Sequence, residues 1–209
     1  MISAAINYCT ADRALVDAFD ALDAPNKLGS YWTDPTLEKL KSRIKAHYID
    51  TQNVRCCYCN QHQNSKNHRI WDVEHIAPRA KYAHFMFTPQ NLAASCPDCN
   101  QSKGDAEVLV SPGRKTYPKK SEDFKIFHPH FDSYTDHILK SGFVYTPKSK
   151  KGKFTIYTCD LLRFAAEFID WSNSATDTSF EEEVDIAFEA SPEAAMRAVD
   201  SIAAKLNVR

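Results

Sequence analysis

Apolar positions near the start of the chain recur at helical spacing. Leu15, Val16, Phe19 and Leu22 fall three to four residues apart, which gathers them on one helix face. A break follows at Ala24-Pro25-Asn26. Pro35, with Asp34 or Thr33 as cap, can then open a second helix running through Leu37, Leu40, Ile44 and His47-Tyr48. Residues 10–49 are therefore predicted to be mostly helical. They hold no chemical motif and read as a packing platform. Periodicity fades over residues 52–105, where Cys, His, Asn and Pro accumulate. Residues 106–141 read as a mixed loop region broken by Pro112-Gly113, Pro118 and Pro129. Residues 142–159 predict a β-hairpin, with β-rich runs at 142–146 and 154–158 around a turn at 147–152. Helical patterning returns over 160–173 and 178–206, with Ser191-Pro192-Glu193 as a helix start. No internal repeat is visible. The order predicts an α+β fold in three parts: a helical extension (1–50), a chemically dense core (51–110), and a C-terminal extension of basic loop, hairpin and helices (111–209).

Composition narrows the class. With 209 residues and 43% hydrophobic content, the chain can bury one well-cored domain, or a small domain with additions. No apolar run is long enough for a bilayer, and the first residues lack the basic-then-apolar order of a secretory signal. A soluble, cytoplasmic protein without a membrane partner is expected. The seven cysteines are an odd number, which argues against a disulfide framework and for metal binding. The net charge of −1 hides an uneven distribution. Residues 101–153 carry eleven Lys/Arg against six Asp/Glu, whereas residues 154–209 carry four against eleven. A basic middle therefore precedes an acidic end.

Two C-x-x-C pairs, Cys56/Cys59 and Cys96/Cys99, are separated by 36 residues. Two such turns can bring four thiolates into a tetrahedron around Zn²⁺, leaving no open position, so the zinc is expected to be structural. No thioredoxin-like pattern surrounds either pair to support a redox role. Cys57 would shorten its turn to C-x-C, which favours Cys56 as ligand. Cys9 and Cys159 are expected to be core thiols, and His62 and His68 to be exposed.

Between and around these pairs stand Glu74-His75-Ile76-Ala77-Pro78, Asn91-Leu92, and Asn100 followed by Lys103-Gly104-Asp105. A zinc that clamps 56–59 onto 96–99 would bring Glu74-His75 and Asn100 to one small site. In order and spacing, Cys56 to Asp105 resembles the HNH nucleases with a ββα-metal core, in the subgroup braced by a four-cysteine zinc. The resemblance covers about a quarter of the chain. It implies that His75 is the general base that deprotonates water, Glu74 an acidic metal ligand, Asn91 the residue that braces the loop and orients the histidine, and Asn100 a ligand of the catalytic cation. The general chemistry agrees: an ordinary histidine titrates near ~6.5 and can accept a proton at neutral pH, and oxygen ligands favour Mg²⁺ or Mn²⁺. Three departures stand out. Glu replaces the commoner Asp at 74, Asn replaces His at 100, and the Gly-rich stretch that often follows the Pro is missing.

Arg79, Lys103, Lys119, Lys120, Lys150 and Lys151 are candidate phosphate contacts, the last four in the basic loop and hairpin turn. DNA is the substrate the resemblance implies, and nothing in the sequence sets RNA aside. One active centre nicks, so cutting both strands needs a second copy or rebinding. With no P-loop motif, any ATP-driven step needs a partner chain; the resemblance extends to nuclease subunits that work beside an ATPase in prokaryotic defence and mobile elements. The histidines and aspartates of 128–137 lack consistent ligand spacing and are expected to pack a loop. The competing class is a non-catalytic zinc module binding nucleic acid or a partner. It leaves Glu74-His75, Asn91 and Asn100 without a role.

Overall fold

The computed structural model describes residues 2–166 together with Arg197 and Ser201. The helix expected over 178–206, apart from Arg197 and Ser201, and the end of the one expected over 160–173 lie outside the described residues.

The N-terminal extension is helical as its periodicity predicts. Helix α1 spans Thr10–Asp20 and buries Val16 and Phe19. The Asp34 side chain accepts from the Thr36 amide at the start of a short 3₁₀ turn, Pro35–Leu37. That turn leads directly into α2, Glu38–Thr51, whose buried face is Leu40, Ile44, Tyr48 and Ile49. Two hydroxyls tie this extension to the core: Tyr48 donates to the Pro89 carbonyl at 2.7 Å and Tyr8 to that of Phe87 at 2.8 Å.

The core is a ββα unit. Strand β1 (Asp72–His75) pairs antiparallel with β2 (Leu92–Ser95), Glu74 opposite Ala93 and His75 opposite Leu92. Helix α3 (Pro97–Lys103) follows immediately, with Pro97 in its first turn, where a missing N–H costs nothing. The Gln52 side chain at the end of α2 grips one residue of β2, accepting from the Ala94 N–H at 2.8 Å and donating to its carbonyl at 2.7 Å. This clamp fixes α2 against the sheet.

The C-terminal extension departs from expectation. A hairpin exists, but its strands are β3 (Ile138–Ser141) and β4 (Val144–Pro147), following a one-turn helix α4 (Tyr134–His137). Gly142 turns the chain at φ +58°, a conformation glycine adopts without steric cost. The expected second strand, 154–158, belongs instead to helix α5 (Lys150–Thr158). Two local signals outweigh the β-propensity of Phe-Thr-Ile-Tyr-Thr. The Ser149 side chain caps α5 by accepting from the Gly152 amide. Gly152, Thr155, Ile156 and Cys159 are all buried, a helical period and not an alternating one. Gly152 is there for room: a Cβ would sit 1.8 Å from the His137 carbonyl oxygen.

Among the described helices none is long and apolar enough to cross a membrane.

Candidate active site

Cys56, Cys59, Cys96 and Cys99 are buried, and their sulfurs all lie within 4.8 Å of one another. A Zn–S bond of about 2.3 Å requires sulfur–sulfur edges of about 3.8 Å, so the cluster is of zinc-holding size, and four soft thiolates suit that ion. Cys57 stays out of the cluster, its amide donating to the Ala94 carbonyl. Cys159 is a core thiol as expected. Cys9 is not: it is exposed and donates from Sγ to Asp12 at 3.1 Å, because the extended cap position before α1 turns it outward.

Residues outside the motif hold this cluster. Arg163 approaches Cys99 Sγ at 3.2 Å and Cys96 Sγ at 3.9 Å, placing a guanidinium beside the thiolates. Tyr145 on β4 donates to the Cys59 carbonyl and Tyr134 to that of Tyr58. The basic C-terminal extension is thus a brace for the first knuckle. Sequence spacing gives no sign of this, because each contact spans more than 60 residues.

Asn91 is fully buried. Its Oδ1 accepts from the Ala77 amide at 2.7 Å, and its Nδ2 donates to the carbonyls of Ala77 and Phe85. One side chain thereby ties both ends of the loop between β1 and β2. Held in that loop, the Met86 carbonyl lies 3.2 Å from His75 Nε2. A carbonyl only accepts, so Nε2 carries the hydrogen and Nδ1 keeps its lone pair. Asn91 thus holds the loop that carries the Met86 carbonyl beside His75.

His75 is 6% exposed, and its ring meets the Trp32 ring edge-on at 4.6 Å. Burial, then the charges of Arg79 and Lys103, push its pKa down to about 3, so the ring is neutral at neutral pH.

Glu74 and Lys103 form an ion pair of 2.6 Å in which both side chains are 1% exposed. Tyr58 donates to the same carboxylate at 2.9 Å, and Lys103 also donates to the His75 carbonyl at 3.0 Å. Both contacts on Glu74 fall on Oε1, so a cation would be met by Oε2. Lys103, expected to touch phosphate, spends its ammonium inside the fold. One turn earlier on α3, Asn100 Nδ2 donates to Asp72 at 2.9 Å. The helix and β1 therefore share two polar rungs, Asn100 with Asp72 and Lys103 with Glu74. Asp72 belongs to no part of the motif; its sequence signal is its place two residues before Glu74, on the same strand face.

A cavity of about 710 Å³ opens over these rungs, with His75, Glu74, Asn100, Arg79 and Lys103 among its lining residues. Its opposite wall comes from the N-terminal extension: Trp32, Glu38, Lys41, Ser42 and Lys45, with His68 at its edge. Arg79 donates to the Gly29 carbonyl at 2.6 Å, and a Cβ at Gly29 would stand 2.8 Å from the Arg79 oxygen, so glycine permits that close approach. None of Lys119, Lys120, Lys150 or Lys151 lines the cavity. Lys151 is paired with buried Asp132 at 2.6 Å and bonded to Ser121. Lys120 reaches Glu122. Histidines 128 and 130 pack into a hydrogen-bonded loop with Tyr117, Leu92 and Asp132, as their irregular spacing suggests. Among the described residues, the four cysteines are the one group of three or more Cys, His, Asp or Glu side chains close enough together to hold a metal.

Residues 56–106 match the family model described as HNH endonuclease. The chain is also similar to the Septu protein PtuB of Bacillus thuringiensis, 28% identical over 116 residues. That match covers 56% of this chain and 40% of the relative, less than half of the relative's length. Motif order, the buried four-cysteine cluster and the family match together identify residues 56–106 as an HNH endonuclease-family domain.

Proposed function

We propose that the protein is a metal-dependent endonuclease that hydrolyses phosphodiester bonds of DNA, serving as the nuclease component of a prokaryotic defence or mobile-element system. The observation that supports this most directly is the state of His75: Nε2 is committed to the Met86 carbonyl while Nδ1 retains its lone pair in a residue that lines an open cavity beside Asn100.

In this reading His75 Nδ1 takes the proton from a water that attacks phosphorus, and the P–O bond to the leaving sugar oxygen breaks. A pKa near 3 makes the free histidine a weak base. A bound phosphodiester changes that balance: its negative charge offsets Arg79 and Lys103, and raises the proton affinity of the ring as the reaction needs it. Arg79, tied to Gly29, presents a fixed positive group to the same cavity. Asn100, Glu74 through Oε2, and Asp72 supply the hard oxygens that would hold Mg²⁺ or Mn²⁺. When bound, such a cation neutralises charge growing on the phosphate. Zinc at Cys56, Cys59, Cys96 and Cys99 keeps α3 registered against the first knuckle. An ATPase partner, as the resemblance to nuclease subunits that work beside an ATPase implies, and a second copy for double-strand cleavage belong to the same proposal.

Plasmid nicking tests it. His75→Ala should lower cleavage by about 10²- to 10⁴-fold, on the scale set by loss of an acid–base group, with zinc content and a cooperative melting transition retained. EDTA should stop the wild-type reaction and Mg²⁺ or Mn²⁺ should restore it. Normal nicking by the variant would remove His75 as base.

A further inference from the structure

The cavity has a wall that the HNH motif does not supply. Lys41 and Lys45 stand one turn apart on α2, about 6 Å along the axis. The buried face of that helix is Leu40, Ile44 and Tyr48, so the two lysines share a neighbouring face, and both line the cavity. Lys45 donates to the His68 carbonyl at 3.0 Å, a neutral acceptor, and feels the carboxylates of Asp72 and Glu38, with which a phosphate would share its charge. Lys41, 17% exposed, pairs with exposed Glu38 and donates to the Trp32 carbonyl; the pair with Glu38 is one that a phosphate can replace. Trp32 is half-buried and reaches from this wall to the edge of the His75 ring, with Lys41 6.0 Å from its centre. The Gln52 clamp on β2 and the Tyr48 bond to Pro89 hold the wall in place, so its distance from His75 is set by the core and not by a loose loop.

We propose that Trp32, Lys41 and Lys45 form a subsite for an unpaired nucleotide next to the bond being cut. The two ammonium groups take backbone phosphate, and the indole packs against the base or sugar. Three features point to an unpaired strand. The His75 ring is only 6% exposed. Stacking on an aromatic needs a base free of its partner. A cavity of about 710 Å³ falls in the range that encloses a small organic ligand, and a duplex would have to bridge its mouth. The subsite rests on the nuclease reading for its position but not for its measurement, because binding is read without cleavage.

The test is fluorescence anisotropy of short labelled single strands, DNA and RNA in separate arms, and of the matching duplexes, across a salt series. The protein is the full chain carrying His75→Ala to keep the strands uncut. Adding Lys41→Ala and Lys45→Ala should lower the salt slope on single strands by about 1.4, at ~0.7 per phosphate contact. Trp32→Ala should weaken single-strand binding roughly five- to a hundredfold and leave duplex binding unchanged, while Trp32→Phe keeps most of the affinity. The DNA and RNA arms decide which backbone is preferred. An unchanged salt slope in the double lysine variant overturns the subsite, as does a Trp32→Ala effect of equal size on duplex and single strand. The two readings separate cleanly: a wild-type chain that binds through this wall but never cuts refutes the nuclease, and one that cuts normally with an unaltered slope refutes the subsite.

Discussion

Helix α3 belongs to two different regions. Its first turn carries Cys99, which packs with Cys56, Cys59 and Cys96 in a closed, buried cluster. Its next turn carries Asn100 and Lys103, which line an open, charged cavity. The closed region is braced from the C-terminal side by Arg163, Tyr145 and Tyr134, and the open region is walled from the N-terminal side by Trp32, Lys41 and Lys45. One region fixes geometry and the other leaves room for a substrate. They are joined through a seven-residue helix, so an error of position in the first passes directly to the second.

Breaking the closed region should have the largest effect. Structural zinc contributes on the order of 10 kcal/mol or more in small metal domains, comparable to the whole stability of a domain. Cys99→Ser should therefore abolish stoichiometric zinc and the cooperative thermal transition, measured by metal analysis and circular dichroism. A variant that melts normally without zinc would separate the two regions and remove the clamp from the account.

The next effect sits on the shared rung. Lys103→Ala leaves the Glu74 carboxylate buried without its cation and should cost about 3–5 kcal/mol in denaturant unfolding. Replacing both partners, Glu74→Leu with Lys103→Met, should recover most of that loss, since a buried pair contributes little net stability. The nicking assay on this double variant then sharpens the comparison. Full stability with lost activity assigns Glu74 to the open region as a cation ligand, whereas full stability with full activity makes the pair purely structural.

The same division explains what was legible in the sequence. The cysteine cluster depends on two turns whose spacing is local, so it can be read directly; motif order singles out Asn91 and His75, but their bonds to Ala77, Phe85 and Met86 come only with the folded loop. The first two helices also follow from their period and the Asp34-Pro35 start. The cavity wall was hidden because Lys41 and Lys45 carry no motif; only the packing of α2 on β2 through Gln52 brings them opposite His75. The candidate lysines of the basic loop and turn, Lys119, Lys120, Lys150 and Lys151, stand outside the cavity lining. A run of lysines looks like a phosphate track, but Lys151 neutralises buried Asp132, and the turn assigned to 147–152 is partly the start of α5. Strand propensity at 154–158 failed for a related reason, since a serine cap and a buried helical stripe settled the segment against its composition.

Acid should give the smallest effect, and it falls on the packed side of the molecule. His128 is fully buried between Tyr117, Phe124 and Phe131. Tyr117 donates to the Gln90 carbonyl, so His128 Nε2–H must donate to the Tyr117 oxygen, at 2.8 Å. Nδ1 accepts from the His130 amide at 3.3 Å. Both nitrogens are used in the neutral form, and a second proton on Nδ1 would face an N–H. Burial, then the charges of His130 and Lys151, hold its pKa well below the ordinary value. The unfolded chain therefore binds this proton first. Stability is complete above the unfolded pKa of about 6.5 and is lost as pH falls below it, by up to ~1.4 kcal/mol per pH unit, or about 2 kcal/mol between pH 7 and pH 5. His128→Gln should be less stable at pH 7 but should lose about 2 kcal/mol less than wild type on acidification, as measured by denaturant midpoints at the two pH values. Taking the difference between the two chains cancels the acid sensitivity of the zinc thiolates, which both share. Equal losses in the two would mean that His128 already carries its second proton in the folded protein, and that this side of the molecule is more open to water than its packing implies.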